Sequence, residues 1–174
     1  MTAERMAAEL TAFARPVRHE ANNLLAALGG TIEILLRGAA NERDLARVQR
    51  MQEATRRIEA LLKSYLSLAA PPDGGPEGTD APQVLKLLEP LLVLLLGPGR
   101  SVEVIAPPRL RRLAMPAPEL QALVFRLARE AAAAAPPQGG LRLTMDAAPG
   151  GVSLRAAPTP AGTAPPAVFL PAAP

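Results

Sequence analysis

The sequence predicts an α+β protein in two parts: a long antiparallel helical hairpin that forms a dimeric four-helix bundle, then a small α/β sandwich. Three observations predict it. Apolar residues recur at spacings of three and four through residues 3–37 and again through 45–68. A Pro- and Gly-rich stretch, APPDGGPEGTDAP, follows at 70–82. Beyond it, helical and alternating patterns take turns. The organisation reads as a hairpin over 1–70, a linker over 71–82 and an α/β module over 83–174.

The first stripe is Met6, Leu10, Phe13, Val17, Ala21, Leu24, Leu28, Ile32 and Leu35. Pro16 lies inside it, lacks a backbone N–H, and predicts a kink or a restart one turn before His19. Gly38 and Asn41 mark a stop and a new start. The second stripe is Leu45, Val48, Met51, Thr55, Ile58, Leu62, Tyr65 and Leu68. So short a connection folds the helices back on each other, each roughly 40 Å long. In the second module, QVLKLLEPLLVLLLG reads as a helix and SVEVIAP as a strand. RRLAMP reads as a short strand, and APELQALVFRLAREAAAAA as a helix with Pro118 in its first turn. LRLTMDA and VSLRAA are strands on either side of PGG, and AVFLP is the last strand.

Two helices alone leave half of each apolar stripe wet. A second copy of the chain completes a four-helix bundle and buries the rest. The competing arrangement has the C-terminal module cover the hairpin.

Composition narrows the chemistry. The chain has no cysteine, which excludes disulfides, thiolate metal sites and a cysteine nucleophile. Its single histidine excludes a multi-histidine zinc site. Aromatic residues are 2% of the chain, so the core must be assembled from Ala, Leu and Val. The opening MTAERMAAEL is charged and periodic, unlike a secretory leader, and VLKLLEPLLVLLLG is interrupted by Lys86, Glu89 and Pro90. A cytoplasmic location with no membrane contact is expected. The net charge of +3 suits an acidic partner, but there is no aromatic platform for nucleic acid. Arg43, Arg47, Arg50, Arg56 and Arg57 read as a solvated helix face.

The single histidine sits in RPVRHEANNLLAALGG, residues 15–30. At about 100° per residue, His19 lies about 160° around the helix from Val17 and from Ala21, so it points away from the stripe. Arg15, Asn22 and Asn23 lie within one turn of it, and Glu20 is adjacent. An exposed imidazole is partly neutral at cell pH and is a competent nucleophile toward phosphorus. A neighbouring carboxylate can take the proton of the other ring nitrogen, and an amide one turn away can orient water or a phosphoryl oxygen. The same residues also make an ordinary solvated helix surface, and the physics alone leaves both readings open.

HEANNLLAALGGTIEILL resembles the phosphoacceptor box of two-component sensor histidine kinases. In that family the box is His-Glu/Asp, two variable residues, Asn or Thr, then commonly Pro-Leu. The resemblance implies that His19 is the phosphoacceptor, Glu20 the acidic residue linked to proton transfer, and Asn23 the polar residue of phosphatase chemistry. Leu24 stands where Pro is common. ELQALVFRLAREAAAAAPPQGGLRLTM resembles the kinase N-box helix and the strand after it. Arg126 and Glu130 occupy its two Asn positions, and Ala133 falls near its Asp position. Ala156 or Ala157 stands where the adenine-reading Asp belongs, and VSLRAAPTPAGTAPPAVFLP leaves no length for a lid. The whole is similar to dimeric histidine phosphotransferases of the ChpT type, with a degenerate Bergerat-like ATPase module.

That resemblance implies a phosphorelay role without ATP and without a metal or other cofactor of its own. His19 takes a phosphoryl group from the aspartyl phosphate of a receiver domain and returns it to another, with Mg²⁺ held by the receiver. The partners it implies are response-regulator receiver domains and an upstream hybrid histidine kinase. The docking surface is expected at Arg15, Arg18, Asn22 and Ala26, together with the facing side of the second helix. The alternatives are a non-catalytic pseudokinase adaptor and a receiver phosphatase acting through Asn23; an active ATP-dependent kinase is disfavoured by the missing loops.

Overall fold

The computed structural model describes residues 3–69, 78–107, 109–160 and 166–174, with side chains in the first helix described at Ala14 and from Pro16 onward. The chain divides into two units, Met1–Ala70 and Pro71–Pro174.

Unit 1 is two helices, α1 (Ala3–Arg37) and α2 (Glu42–Ala69). The helix continues through Pro16 as a single element, so the expected restart does not occur. Its Ala- and Leu-rich sequence carries no β-branched run to oppose it. The helix ends where the Gly38 amide donates to the Ile34 carbonyl (3.1 Å). Asn41 then caps α2: its Oδ1 accepts from the Asp44 amide (2.9 Å), and its Nδ2 donates to the Asp44 carboxylate (2.8 Å). Glu42 and Asp44 sit in the first turn, where the helix dipole favours negative charge.

The helices meet along a line narrower than the sequence stripes. Ala14, Ile32, Val48 and Leu66 are the buried apolar residues of unit 1 among those described. Ala21, Leu25 and Leu36 on α1, and Thr55 and Leu62 on α2, are half-buried on the same line. Val17, Leu24, Leu28 and Leu35, all from the predicted stripe, are exposed. So are Leu45, Met51, Ile58, Tyr65 and Leu68 from the second stripe. The physical reason is width: each stripe spans more of its helix than one partner helix can cover. Met6, Leu10 and Phe13 lie outside the described side chains.

Unit 2 is a two-layer α/β sandwich. Its elements are α3 (Ala81–Leu96), β1 (Val102–Ile105), α4 (Ala117–Ala134), β2 (Gly140–Ala148), β3 (Gly151–Thr159) and β4 (Val168–Pro171). The sheet has the order β1-β2-β3-β4, with β1 parallel to β2 and the other pairs antiparallel. Leu141, Leu143 and Met145 of β2 and Val152, Leu154 and Ala156 of β3 are buried in one core with Leu85, Leu88 and Leu92 of α3 and Leu120 and Val124 of α4. The alternate residues Arg142, Asp146 and Arg155 are exposed, so both helices lie on one face of the sheet and the other face is open. Among the described residues, no aromatic residue is buried. Removing a large aliphatic side chain from water is worth about 1.5–3 kcal/mol.

Residues 78–82, linker by composition, are built into unit 2. Asp80 Oδ1 accepts from the Gln83 amide (3.1 Å), so α3 starts at Ala81. Buried Thr79 exchanges both backbone hydrogen bonds with Leu113 (2.9 Å each), and its Oγ1 donates to the Met115 carbonyl (2.6 Å). The strand expected at RRLAMP reduces to an isolated bridge at Leu113, which pairs with Thr79 on one side and Ala172 on the other. The turn from β2 to β3 rests on Gly150, whose φ of 76° suits glycine.

Candidate functional site

His19 is presented by the middle of α1, on a rigid element rather than a loop. His19, Glu20, Asn22 and Asn23 are all exposed. Among the described residues, none of these four side chains makes a hydrogen bond or ion pair. The three residues assigned chemistry by the sequence therefore lie within about one turn of helix, with their polar groups open to a partner.

The line Ala14–Ala21–Leu25–Ile32 divides α1 into two flanks. Val17, Leu24, Leu28 and Leu35 lie roughly 40–80° to one side of it. Arg18, Asn22 and Ala26 lie roughly 40–120° to the other, and His19 follows at about 140°. Around α2, Met51, Ile58 and Tyr65 lie on one side of the line through Val48 and Leu66, and Glu59 and Lys63 on the other. Because the helices are antiparallel, the two apolar rows share one face of the hairpin. The polar rows share the opposite face.

On that polar face lies a groove of about 350 Å³. Its lining is Arg18, Asn22, Leu25 and Ala26 from α1 and Glu59, Leu62, Lys63 and Leu66 from α2. Leu25, Leu62 and Leu66 make an apolar floor, and Ala26 keeps one wall low. Arg18 and Lys63 bring positive charge to the groove, and Glu59 lies one turn from Lys63 on α2. The groove is large enough for one bulky apolar side chain with polar groups around it.

Three of the four expected docking residues, Arg18, Asn22 and Ala26, are thus brought together. The fourth, Arg15, lies on the same helix, but its side chain is outside the described residues. His19 does not line the groove; it stands beside it, between Arg18 and Asn22 in sequence and about 20° around the helix from Ala26. Glu20 and Asn23 point away from the groove. The α2 members Glu59, Leu62, Lys63 and Leu66 were not singled out by sequence, although a signal existed. Arg18 and Lys63 are equally far from the Ala40–Asn41 junction, and so are Asn22 and Glu59. Folding the chain back at that junction pairs them.

In unit 2, Arg126 and Glu130 form an ion pair of 3.4 Å one turn apart on the exposed side of α4. Ala133 is exposed at the end of that helix, Ala156 is buried under the sheet, and Ala157 is half-buried. None of these positions offers an amide or a carboxylate free of a partner. Among the described residues, no cluster of three or more His, Asp or Glu is placed to hold a metal ion. No helix among them is long and apolar enough to cross a membrane.

Comparison with protein-family models matches none of them to this chain, and comparison with curated proteins finds no significant match.

Proposed function

We propose that this protein is a cytoplasmic histidine phosphotransfer protein, passing a phosphoryl group between receiver-domain aspartates through His19. The observation that carries the proposal is the position of His19: exposed, on an unbroken helix, beside a groove lined by both helices and on the side opposite an exposed apolar face.

In the forward step, a ring nitrogen of neutral His19 attacks the phosphorus of an aspartyl phosphate. A P–N bond forms, the P–O bond to the aspartate breaks, and the carboxylate leaves with the electron pair. The phosphorylated ring then gives up the proton of its other nitrogen, for which Glu20 is the assigned acceptor. The reverse sequence loads a second receiver. The receiver supplies Mg²⁺ to neutralise charge on the transferring group. This chain supplies an in-line nucleophile and a dock. The groove takes a bulky apolar side chain from the receiver, and Arg18 and Lys63 attract its acidic surface.

The hairpin is read as half of a dimeric four-helix bundle. Its buried set is small for two helices of this length, and the exposed row Val17, Leu24, Leu28, Leu35 faces the same way as Met51, Ile58 and Tyr65. Spacings of four and seven within these rows are those of helix-on-helix packing. Unit 2 is read as a degenerate Bergerat-like module that takes part without nucleotide. The pairing of Arg126 with Glu130 supports this: where a kinase keeps two amides for Mg²⁺ and phosphate, these side chains occupy each other.

The test mixes the purified protein with receiver domains carrying labelled phosphate. Transfer of label to wild type and not to His19→Ala bears the proposal out. Loss of label to free phosphate without a labelled intermediate makes the protein a phosphatase, and binding without either makes it an adaptor. Label taken from γ-labelled ATP would show an autokinase and contradict the reading.

A further inference from the structure

We propose that the outer edge of β1, with the groove between it and α3, docks an extended basic segment of another protein as an added strand. The proposal stands on unit 2 alone and does not depend on the phosphotransfer reading.

The two edges of the sheet differ. The β4 edge is closed: the Ala114 amide donates to the Pro171 carbonyl (3.1 Å), and the Ala173 amide to the Arg112 carbonyl (2.7 Å). β1 ends the sheet on the other side, with β2 as its strand neighbour. The Leu141 amide donates to the Ser101 carbonyl (2.8 Å), which sets the phase of that parallel ladder. Residues of a parallel strand alternate between bonding their neighbour and facing away from it. Ser101, Glu103 and Ile105 therefore face β2, and Val102 and Val104 turn their N–H and C=O groups outward. Among the described residues, no backbone group bonds to them there. Such a row is a template for an extended chain laid beside it.

Beside this edge lies a groove of about 610 Å³. Val104 and Ala106 line it from the strand side, and Asp80, Pro82, Lys86 and Glu89 from α3 and its cap. All six are half-buried or exposed. A strand added to β1 sends alternate side chains to the helix side of the sheet, over this groove. The lining selects them. Pro82, Val104 and Ala106 suit an aliphatic stem, and the carboxylates of Asp80 and Glu89 outnumber the ammonium of Lys86. Lys and Arg carry both an apolar stem and a positive head. A second copy of β1 fits less well. The antiparallel register that bonds Val102 and Val104 of both copies sets each Glu103 directly opposite the other, a like-charge pair.

The probe is a short, blocked, fluorescent peptide of alternating Lys and Val, titrated into the full-length protein. It is expected to bind, and to slow hydrogen exchange at the Val102 and Val104 amides. An alternating Glu and Val peptide is expected to bind roughly tenfold more weakly. Glu89→Gln is expected to weaken the Lys peptide by about 2- to 5-fold. Val104→Pro removes an outward N–H and no bond to β2, and, folded by circular dichroism, is expected to lose binding. The Lys peptide with every amide N-methylated keeps its side chains and charges and is expected not to bind, an arm that needs no variant to fold. No binding by the Lys peptide, or binding that leaves the two amides unprotected, would overturn the proposal. So would equal binding of the N-methylated or the Glu peptide, or unchanged binding by folded Val104→Pro. Protection of those amides in the protein alone, rising with protein concentration, would assign the edge to a second copy and likewise overturn it.

Discussion

Leu28 and His19 are nine residues apart on α1, which places them about 180° apart around the helix, both exposed. An apolar surface and the proposed nucleophile are thus carried on opposite sides of one element. Covering Leu28 would leave His19 open, so the proposed assembly and the proposed chemistry do not compete for surface. The pair Leu28→Glu with Ile58→Glu is therefore expected to turn a dimer into a monomer, as read by sedimentation equilibrium. Neither residue is buried within the chain, so helical content is expected to fall far less than for a core substitution. A double variant that sediments as wild type does would contradict assembly through this face.

Charge reversal at the groove separates docking from chemistry. Arg18→Glu with Lys63→Glu is expected to weaken transfer from an acidic receiver, chiefly by slowing encounter, and to reduce its dependence on salt. The measurement is the transfer rate against ionic strength. Unchanged rates at low salt would remove these two residues from the docking surface.

The proposed reading divides the chemistry between His19 and Asn23. Asn23→Ala keeps the nucleophile and removes an amide able to orient water. The expected outcome is normal labelling of His19, with release of free phosphate from the receiver slowed by about 10²-fold. Equal release by wild type and variant would leave Asn23 without a role.

The sheet makes a stability prediction that is independent of function. A Cβ at Gly151 would collide with the Leu170 carbonyl where β3 pairs with β4. Gly151→Ala is expected to destabilise unit 2 by about 1–3 kcal/mol, because the strands must separate to admit the methyl group. Leu92→Ala, at a fully buried site of α3, is expected to cost about 2–5 kcal/mol. Thermal unfolding followed by circular dichroism reads both.

Much of this arrangement was legible in the sequence, and the exceptions have causes. Long helices with unbroken three–four spacing define themselves, and Gly38 with Asn41 marks the turn because one ends a helix and the other caps the next. The alternation in LRLTMDA and VSLRAA gives β2 and β3, since one face of each is buried. What spacing does not reveal is which part of a broad stripe meets the partner helix. Val17 and Leu24 read as seam residues, yet the line through Ala14, Ala21 and Leu25 takes that place, because small residues let the helices approach. Asp80 was hidden in a linker-like run, although Asp followed by Ala-Pro is a helix start. Leu113 reads as part of a strand but has only single-residue partners on each side. For the site, the angle of His19 came from periodicity alone. The sequence points to the facing side of α2 but not to its residues; counted from the fold-back at Ala40–Asn41, Lys63 mirrors Arg18 and Glu59 mirrors Asn22.

The most direct measurement locates the phosphoryl group. A phosphorylated receiver is incubated briefly with this protein, and the products are separated and treated with acid or with base. Phosphoryl transfer through His19 predicts label on this chain that survives base and is lost in acid, as a phosphoramidate should be, that maps to the peptide containing His19, and that is absent from His19→Ala. Folded, dimeric wild-type protein that takes up no label from any receiver tested, or a His19→Ala variant labelled as strongly as wild type, would contradict it.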